Sequence, residues 1–343
     1  MPRAAEPDDP FPVRTQLPFD LLFLDQTPRS ARILPAHRTR LIVHSTYEST
    51  FVTNDALVTM FRQDRLNRFQ GRVTLPILEA VAAGAPGGTA FIMDGETLRT
   101  VLDFGIGVGP RSEIGAEIPL LLHTSGFLDS PIDSYHAALG LPDGGRTAFA
   151  RDRYLAGYVG DGEEFFFDRP PGGAGLGDVV LTGRTAVVKG RDHSTDIAAG
   201  LSVKLPTGDP HRLDGSGRAD YGLSLQVSRR FARSSLHAGF QVTRLGGWSL
   251  APAVPLLSPR SQFGAYSFAA TARSTLVVQI LRSSGPFHFR SGSDLGRVAL
   301  EIAAGFRHRA PRGFFIEWAV LENLDSYYNT PDVGTFVGLT FPR

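Results

Sequence analysis

Between Gly175 and Asp209 the chain reads as two extended segments joined by a tight polar turn. In the second segment Ile197, Ala199, Leu201, Val203 and Leu205 are apolar, while the alternate positions Asp196, Ala198, Gly200, Ser202 and Lys204 are small, polar or charged. A period of two with one apolar face predicts a β-strand with unlike environments on its two sides. Soluble sandwiches alternate as well, but here Asp and Lys sit mid-strand on the polar face, and the pattern returns in nearly every later segment. Thr39–Phe51 sets Leu41, Val43 and Tyr47 against Arg40, His44 and Glu48. Glu96–Val108 sets Leu98, Leu102, Phe104 and Ile106 against Arg99, Asp103, Gly105 and Gly107, and Glu113–His123 sets Ile114, Ile118 and Leu120 against Glu113, Glu117 and His123. Further strands are predicted over Tyr221–Phe231, Leu236–Leu245, Phe263–Ala272, Leu276–Arg282, Arg297–Arg307, Phe314–Leu324 and Val333–Phe341. The expected fold is all-β: a transmembrane antiparallel up-and-down barrel of about 12 strands, apolar towards lipid and polar towards a lumen.

The connections sharpen this expectation. From the first strand onward they alternate long and short: the excursion after Phe51, the turn at Gly109, the excursion after His123, and so on through the turns at Arg191, Ala232, Arg273 and Pro311 to the loop Asp325–Asp332. Long loops on one side and short turns on the other are the habit of bacterial outer-membrane barrels, with short periplasmic turns and long extracellular loops. A propeller or sandwich has no reason to keep that asymmetry. The expected organisation is an N-terminal periplasmic tail over residues 1–37 and a barrel over 38–343, with long extracellular loops at 54–90 and 124–174. A helix is predicted around Leu75–Ala83 in the first loop. The tail is rich in Pro, Asp and Arg but carries Phe11, Phe19 and the run Leu21–Leu24. Such apolar groups need cover, so the tail is expected to plug the barrel partly from the periplasmic mouth or lower lumen, with Arg14 and Asp20 pairing with inward charges.

Composition adds limits. There are 343 residues, 38 glycines, 24 phenylalanines and no cysteine, with 35 basic against 34 acidic residues. Disulfides and thiolate chemistry are therefore absent, and the near-zero net charge gives no case for nucleic-acid binding. No run of about 18 apolar residues exists, which excludes transmembrane helices. Met1–Phe19 lacks the apolar core of a signal peptide, so the numbering is expected to begin after cleavage or at a start placed downstream.

Four phrases together, FIMDGETLRT at 91–100, DSPIDSYHAALGLPDGGR at 129–146, GLGDVVL at 175–181 and VKLPTGDP at 203–210, resemble the bacterial outer-membrane family catalogued as domain of unknown function 3187. The resemblance extends from PFPVRTQLPF near residue 11 to the C-terminus, with 54–90 as an insertion. It implies an outer-membrane barrel and no established activity. The last strand, VGTFVGLTFPR, looks like the C-terminal signal read by the barrel-assembly machinery, although Pro342 and Arg343 follow its Phe341. Outer-membrane lipid and that machinery are the expected partners; protein partners stay open, and no cofactor or metal motif is present.

Candidate chemistry is sparse. Asp133, Ser134 and His136, with His123 nearby in sequence, supply ingredients of hydrolysis. The simpler reading is that Asp133 and Ser134 cap a short helix and Pro142–Gly145 is a turn. No Gly-x-Ser-x-Gly elbow is present. Arg40, His44, Glu48, Arg99, Asp103, Glu117, His123, Asp178, Arg184, Lys204, Glu301 and Glu317 are expected to line the lumen, either as a conduction or binding path or as a paired polar core. The run Asp161–Asp168 is read as a solvated loop edge rather than a cation site. Trp248, Trp318, Tyr327 and Tyr328 are read as interfacial girdle. The expected function is a narrow channel or transporter for small solutes or lipophilic molecules; the alternatives are a lipid-modifying hydrolase and a structural or docking barrel in a larger assembly.

Overall fold

A computed structural model describes residues 8–64, 66–85, 87–190, 195–287, 294–324 and 330–342. Twelve strands form the closed wall: β1 (Thr39–Thr53), β2 (Ala90–Gly107) and β3 (Ser112–Thr124), then β7 (Val180–Val188), β8 (Thr195–Lys204), β9 (Asp220–Arg230), β10 (Ser234–Arg244), β11 (Arg260–Ala269), β12 (Ser274–Ser284), β13 (Val298–Arg309), β14 (Phe315–Asn323) and β15 (Val333–Pro342). Each pairs antiparallel with its neighbours, and closure comes from β1 against β15, with Arg40 opposite Pro342 and Ser49 opposite Val333. Closure leaves the wall without a free edge, so every wall strand can satisfy its backbone groups within the sheet.

The alternation read from sequence appears directly as exposure. Leu201 and Leu223, opposite one another on β8 and β9, are 61% and 63% exposed, while Lys204 on the other face is 2% exposed. Ile114, Leu181, Leu236, Leu276 and Val337 continue an outer apolar belt around the wall. Trp318 lies in that belt against Phe306, whereas Trp248 does not: it is 2% exposed and packed inside an aromatic cluster at the long-loop end. The loop before β11 folds inward, a placement that residue type alone does not reveal. Tyr327, Tyr328 and the turn at Arg191 fall outside the described residues.

β1 and β2, 15 and 18 residues long, exceed the roughly 9–11 residues that cross a bilayer and so project beyond the wall at the long-loop end. The insertion caps this projection with two helices, α2 (Asp55–Arg62) and α3 (Leu75–Gly84). Leu57, Phe61, Leu78 and Val81 pack with Phe51, Ile92 and Phe149 into a small separate core. With only 8 residues, α2 is too short for its period to stand out in the sequence. The second long loop is not unstructured: α4 (Asp129–Leu139) leads to a hairpin, β4 (Leu155–Gly160) and β5 (Glu163–Phe167), which extends the projecting end of β2, and to the two-residue β6 (Gly175–Leu176) on β3. The run Asp161–Asp168 is thus mostly a strand rather than a loop edge: Phe165 packs on Trp248 with centroids 5.2 Å apart, and Glu163 accepts a hydrogen bond from the Ala253 amide.

The tail enters the barrel at the short-turn end, runs its full height, reverses at the long-loop end and returns. Asp8 sits by Arg230 and Ser235 near the β9–β10 turn, Phe11 lies on Phe336 at mid-height, and the single helical turn α1 (Pro18–Leu21) reaches the loop-end aromatic cluster. The returning leg passes Asp220, Ser228 and Glu113 before Ala36 bridges to Gly107. The tail therefore reaches well beyond the lower lumen expected from sequence. A Cβ on Gly107 would lie 2.1 Å from the Pro35 carbonyl oxygen, so glycine there makes room for the tail's exit.

Candidate functional site in the filled lumen

Alternation puts one side chain in two into the barrel, and those positions carry the charges. Arg40, His44, Glu48, Arg99, Asp103, Glu117, His123, Asp178, Arg184, Lys204, Glu301 and Glu317 are all 9% exposed or less. Buried charges need partners, and many of these find them partly in the tail. Arg29 of the tail lies 2.9 Å from Asp103 and 2.8 Å from Glu117, whose second oxygen accepts from Thr27. Glu113 accepts from the Leu34 amide at 2.7 Å and pairs with Arg184, which also donates to the Ser30 carbonyl. Lys204 pairs with Asp178 and with Asp220, and donates to the Leu22 carbonyl at 2.8 Å. Arg307 pairs with Glu317 across β13 and β14 and donates to the Asp9 carbonyl.

At the short-turn end the Arg32 guanidinium pairs with Asp8 at 2.9 Å and lies 3.8 Å from the Asp9 carboxylate. Ser228 accepts from the Ala31 amide and meets His237 Nδ1 at 2.8 Å, while His237 Nε2 reaches the Asp8 carbonyl. Arg14 and Asp20 depart from expectation. Arg14 donates to the Asp20 and Phe23 carbonyls, so its guanidinium braces the tail's own reversal, and Asp20 Oδ1 has no hydrogen-bond partner among the described residues.

Asp133, Ser134, His136 and His123 are not brought together into a catalytic arrangement. Asp133 and Ser134 lie within α4 rather than capping it; Asp133 pairs with Arg151 at 2.7 Å and Ser134 donates to the Ser130 carbonyl one turn earlier. His136 is buried on α4 against Tyr135. His123 Nδ1 meets the Thr97 hydroxyl at 3.0 Å on the neighbouring strand, and its Nε2 lies 3.9 Å from Asp214. Burial pushes the Asp214 carboxyl up, against the Arg212 guanidinium that holds one of its oxygens.

Arg29, Arg307, Asp220 and His237 were missed. Arg307 shares strand parity with Glu301, and His237 alternates with Leu236, so period-two reading reaches both. Arg29 sits in an aperiodic tail and gave no such signal.

An apolar-belted, twelve-stranded antiparallel wall around a filled polar lumen defines an outer-membrane-type β-barrel. The chain belongs to the family described as Protein of unknown function (DUF3187), whose family model matches residues 88–342. The tail and β1 lie outside that span. Among solved structures, the COG4313 outer membrane channel from Pseudomonas putida F1 is similar over 93% of this chain and 100% of its own, with TM-score 0.57 and 10% identity. The KdgM porin is similar over 74% of this chain and 95% of its own at TM-score 0.39 and 8% identity. The toluene transporter TodX from Pseudomonas putida is similar over 90% and 89% at TM-score 0.39 and 8% identity. At such identities only the fold is shared, and the two lower scores support nothing further. No curated protein matches the sequence.

Proposed function

We propose that this protein is a narrow channel or transporter of the bacterial outer membrane, for small solutes or lipophilic molecules, with its lumen closed by residues 8–36. One observation carries the reading: the wall closes through β1 and β15 without any strand from the tail, which touches it through side-chain contacts, single backbone bonds and one isolated bridge. A plug held in this way can leave while the ladder persists, because the wall's backbone hydrogen bonds do not depend on it. The outer-membrane setting draws support from the apolar belt, the asymmetry of loops and turns, and the fold shared with an outer membrane channel. Neither a hydrolase nor a docking barrel has comparable support: Ser134 donates its hydroxyl to the Ser130 carbonyl of its own helix.

The test is single-channel conductance in planar bilayers. Deleting residues 1–30 removes the ascending leg and the reversal, and is expected to raise conductance while the barrel stays assembled. Unchanged conductance with a folded barrel excludes the plug. A lumen closed in both forms moves preference to the docking or enzyme reading.

A further inference from the structure

The two legs of the tail engage strand charges, but the tip is different. Phe19 and Phe23 place their rings 6.1 to 6.3 Å from those of Trp248 and Phe287, and Phe19 also meets Phe165 at 6.1 Å. Leu22, wholly buried, joins the same cluster. The walls of this chamber come from β1 and β2, the β4–β5 hairpin, the loops after β8 and β12 and the loop before β11, so removing the tip leaves an apolar, aromatic-lined space at the long-loop end.

This chamber also has an unsatisfied polar margin. Tyr154, 1% exposed and part of the same cluster, has a hydroxyl with no hydrogen-bond partner among the described residues. Asp214, beside the cluster residue Leu213, keeps Oδ1 unpartnered with His123 Nε2 at 3.9 Å, beyond hydrogen-bond reach. Trp248 Nε1 is likewise buried without a partner among the described residues. Buried donors and acceptors left open cost free energy, and three such atoms, two within one apolar cluster and one beside it, are what a mainly apolar ligand with one hydrogen-bonding group would satisfy.

We propose that the loop-end chamber is a binding site for a small aromatic solute carrying a hydroxyl group, and that Phe19, Leu22 and Phe23 occupy it as an intramolecular competitor. The ring takes the place of the Phe19 and Phe23 side chains against Trp248, Phe165 and Phe287, and the hydroxyl lies between Tyr154 and Asp214. This inference rests on the channel reading, since it names the class of solute for which the plug yields.

The chain has two tryptophans, so Trp318→Phe leaves Trp248 as sole reporter inside the chamber. In that background, in lipid nanodiscs, Trp248 emission is titrated with 4-bromophenol and with bromobenzene, both heavy-atom quenchers. Phe19→Ala/Phe23→Ala is expected to give saturable quenching by 4-bromophenol with apparent affinity about tenfold tighter than the tail-intact protein, because the competitor is weakened. Its preference for 4-bromophenol over bromobenzene is expected to be about fivefold, the worth of one hydrogen bond, and Tyr154→Phe should remove that preference. Heat-modifiable migration checks assembly, and the 1–30 deletion serves as a second way of emptying the chamber. Non-saturable quenching equal in all forms overturns the inference, as does a hydroxyl preference that is absent or survives Tyr154→Phe. Conductance of the 1–30 deletion is read on the same preparations. Raised conductance without saturable quenching rejects the chamber and keeps the channel, whereas a lumen closed with and without residues 1–30, together with saturable quenching, rejects the channel and keeps the chamber.

Discussion

Neighbouring residues on one strand live in different solvents. Leu201 is 61% exposed in the outer belt, whereas Ser202 next to it faces the interior and is half-buried, opposite Thr182 and Gly222. Leu201→Arg is expected to cost roughly 2–4 kcal/mol if the site lies near the bilayer midplane, where a lipid-facing guanidinium has no partner. Ser202→Arg is expected to be far milder, since polar groups of the lumen surround it. Unfolding by denaturant in lipid vesicles measures both, and equal losses would sink the face assignment. Trp248 carries the complementary lesson. Its large apolar surface and single donor suit an interface belt or an internal aromatic cluster equally well, and only the inward course of its loop selects the latter.

At the scale of elements, the tail and the wall are distinct partners. Arg29 of the tail reaches two wall carboxylates that are almost wholly buried. Breaking a buried pair by removing one partner typically costs about 3–5 kcal/mol, because the other charge is stranded. Arg29→Ala is therefore expected to loosen the tail by several kcal/mol while the closed ladder from β1 to β15 holds. Limited trypsin digestion of folded protein reads this directly: cleavage after Arg14 or Arg32 should become rapid, with heat-modifiable migration preserved until the digest. Protection equal to that of the parent protein would show that the tip and the tail's other polar contacts, among them Leu34 on Glu113 and Lys204 on the Leu22 carbonyl, hold it without Arg29. The projecting sheet of β1, β2, β4 and β5 with its two capping helices is a separate element, with a small core of its own.

The whole molecule presents an apolar surface that water does not tolerate. Leu41, Phe104, Ile114, Leu223, Leu276, Trp318 and Val337 are each 38–63% exposed around the wall, an area that a soluble monomer rarely shows in one contiguous band. The protein is expected to leave membranes only with detergent and to migrate differently on gels before and after boiling. Recovery of stable, folded monomer in plain buffer would overturn residence in a bilayer.

The wall is legible in the sequence: its strand number, the facing of Leu201 against Lys204, the alternation of long loops and short turns, and the placing of charges such as Asp103 and Glu117 inside. Each of these follows from period two, a local property of extended backbone that survives without knowledge of any partner strand. Long-range packing sets the rest: that Arg29 answers Asp103 and Glu117, that Arg14 braces the tail's own reversal, that the tail climbs the full height of the lumen, and that Tyr154 and Trp248 join the cluster around its tip. Those contacts join residues separated by well over two hundred positions, as Phe19 is from Trp248, through strand register and an aperiodic segment that carries no facing signal. Which charge finds which partner depends on where closure of the barrel brings them, and closure is a property of the whole ring.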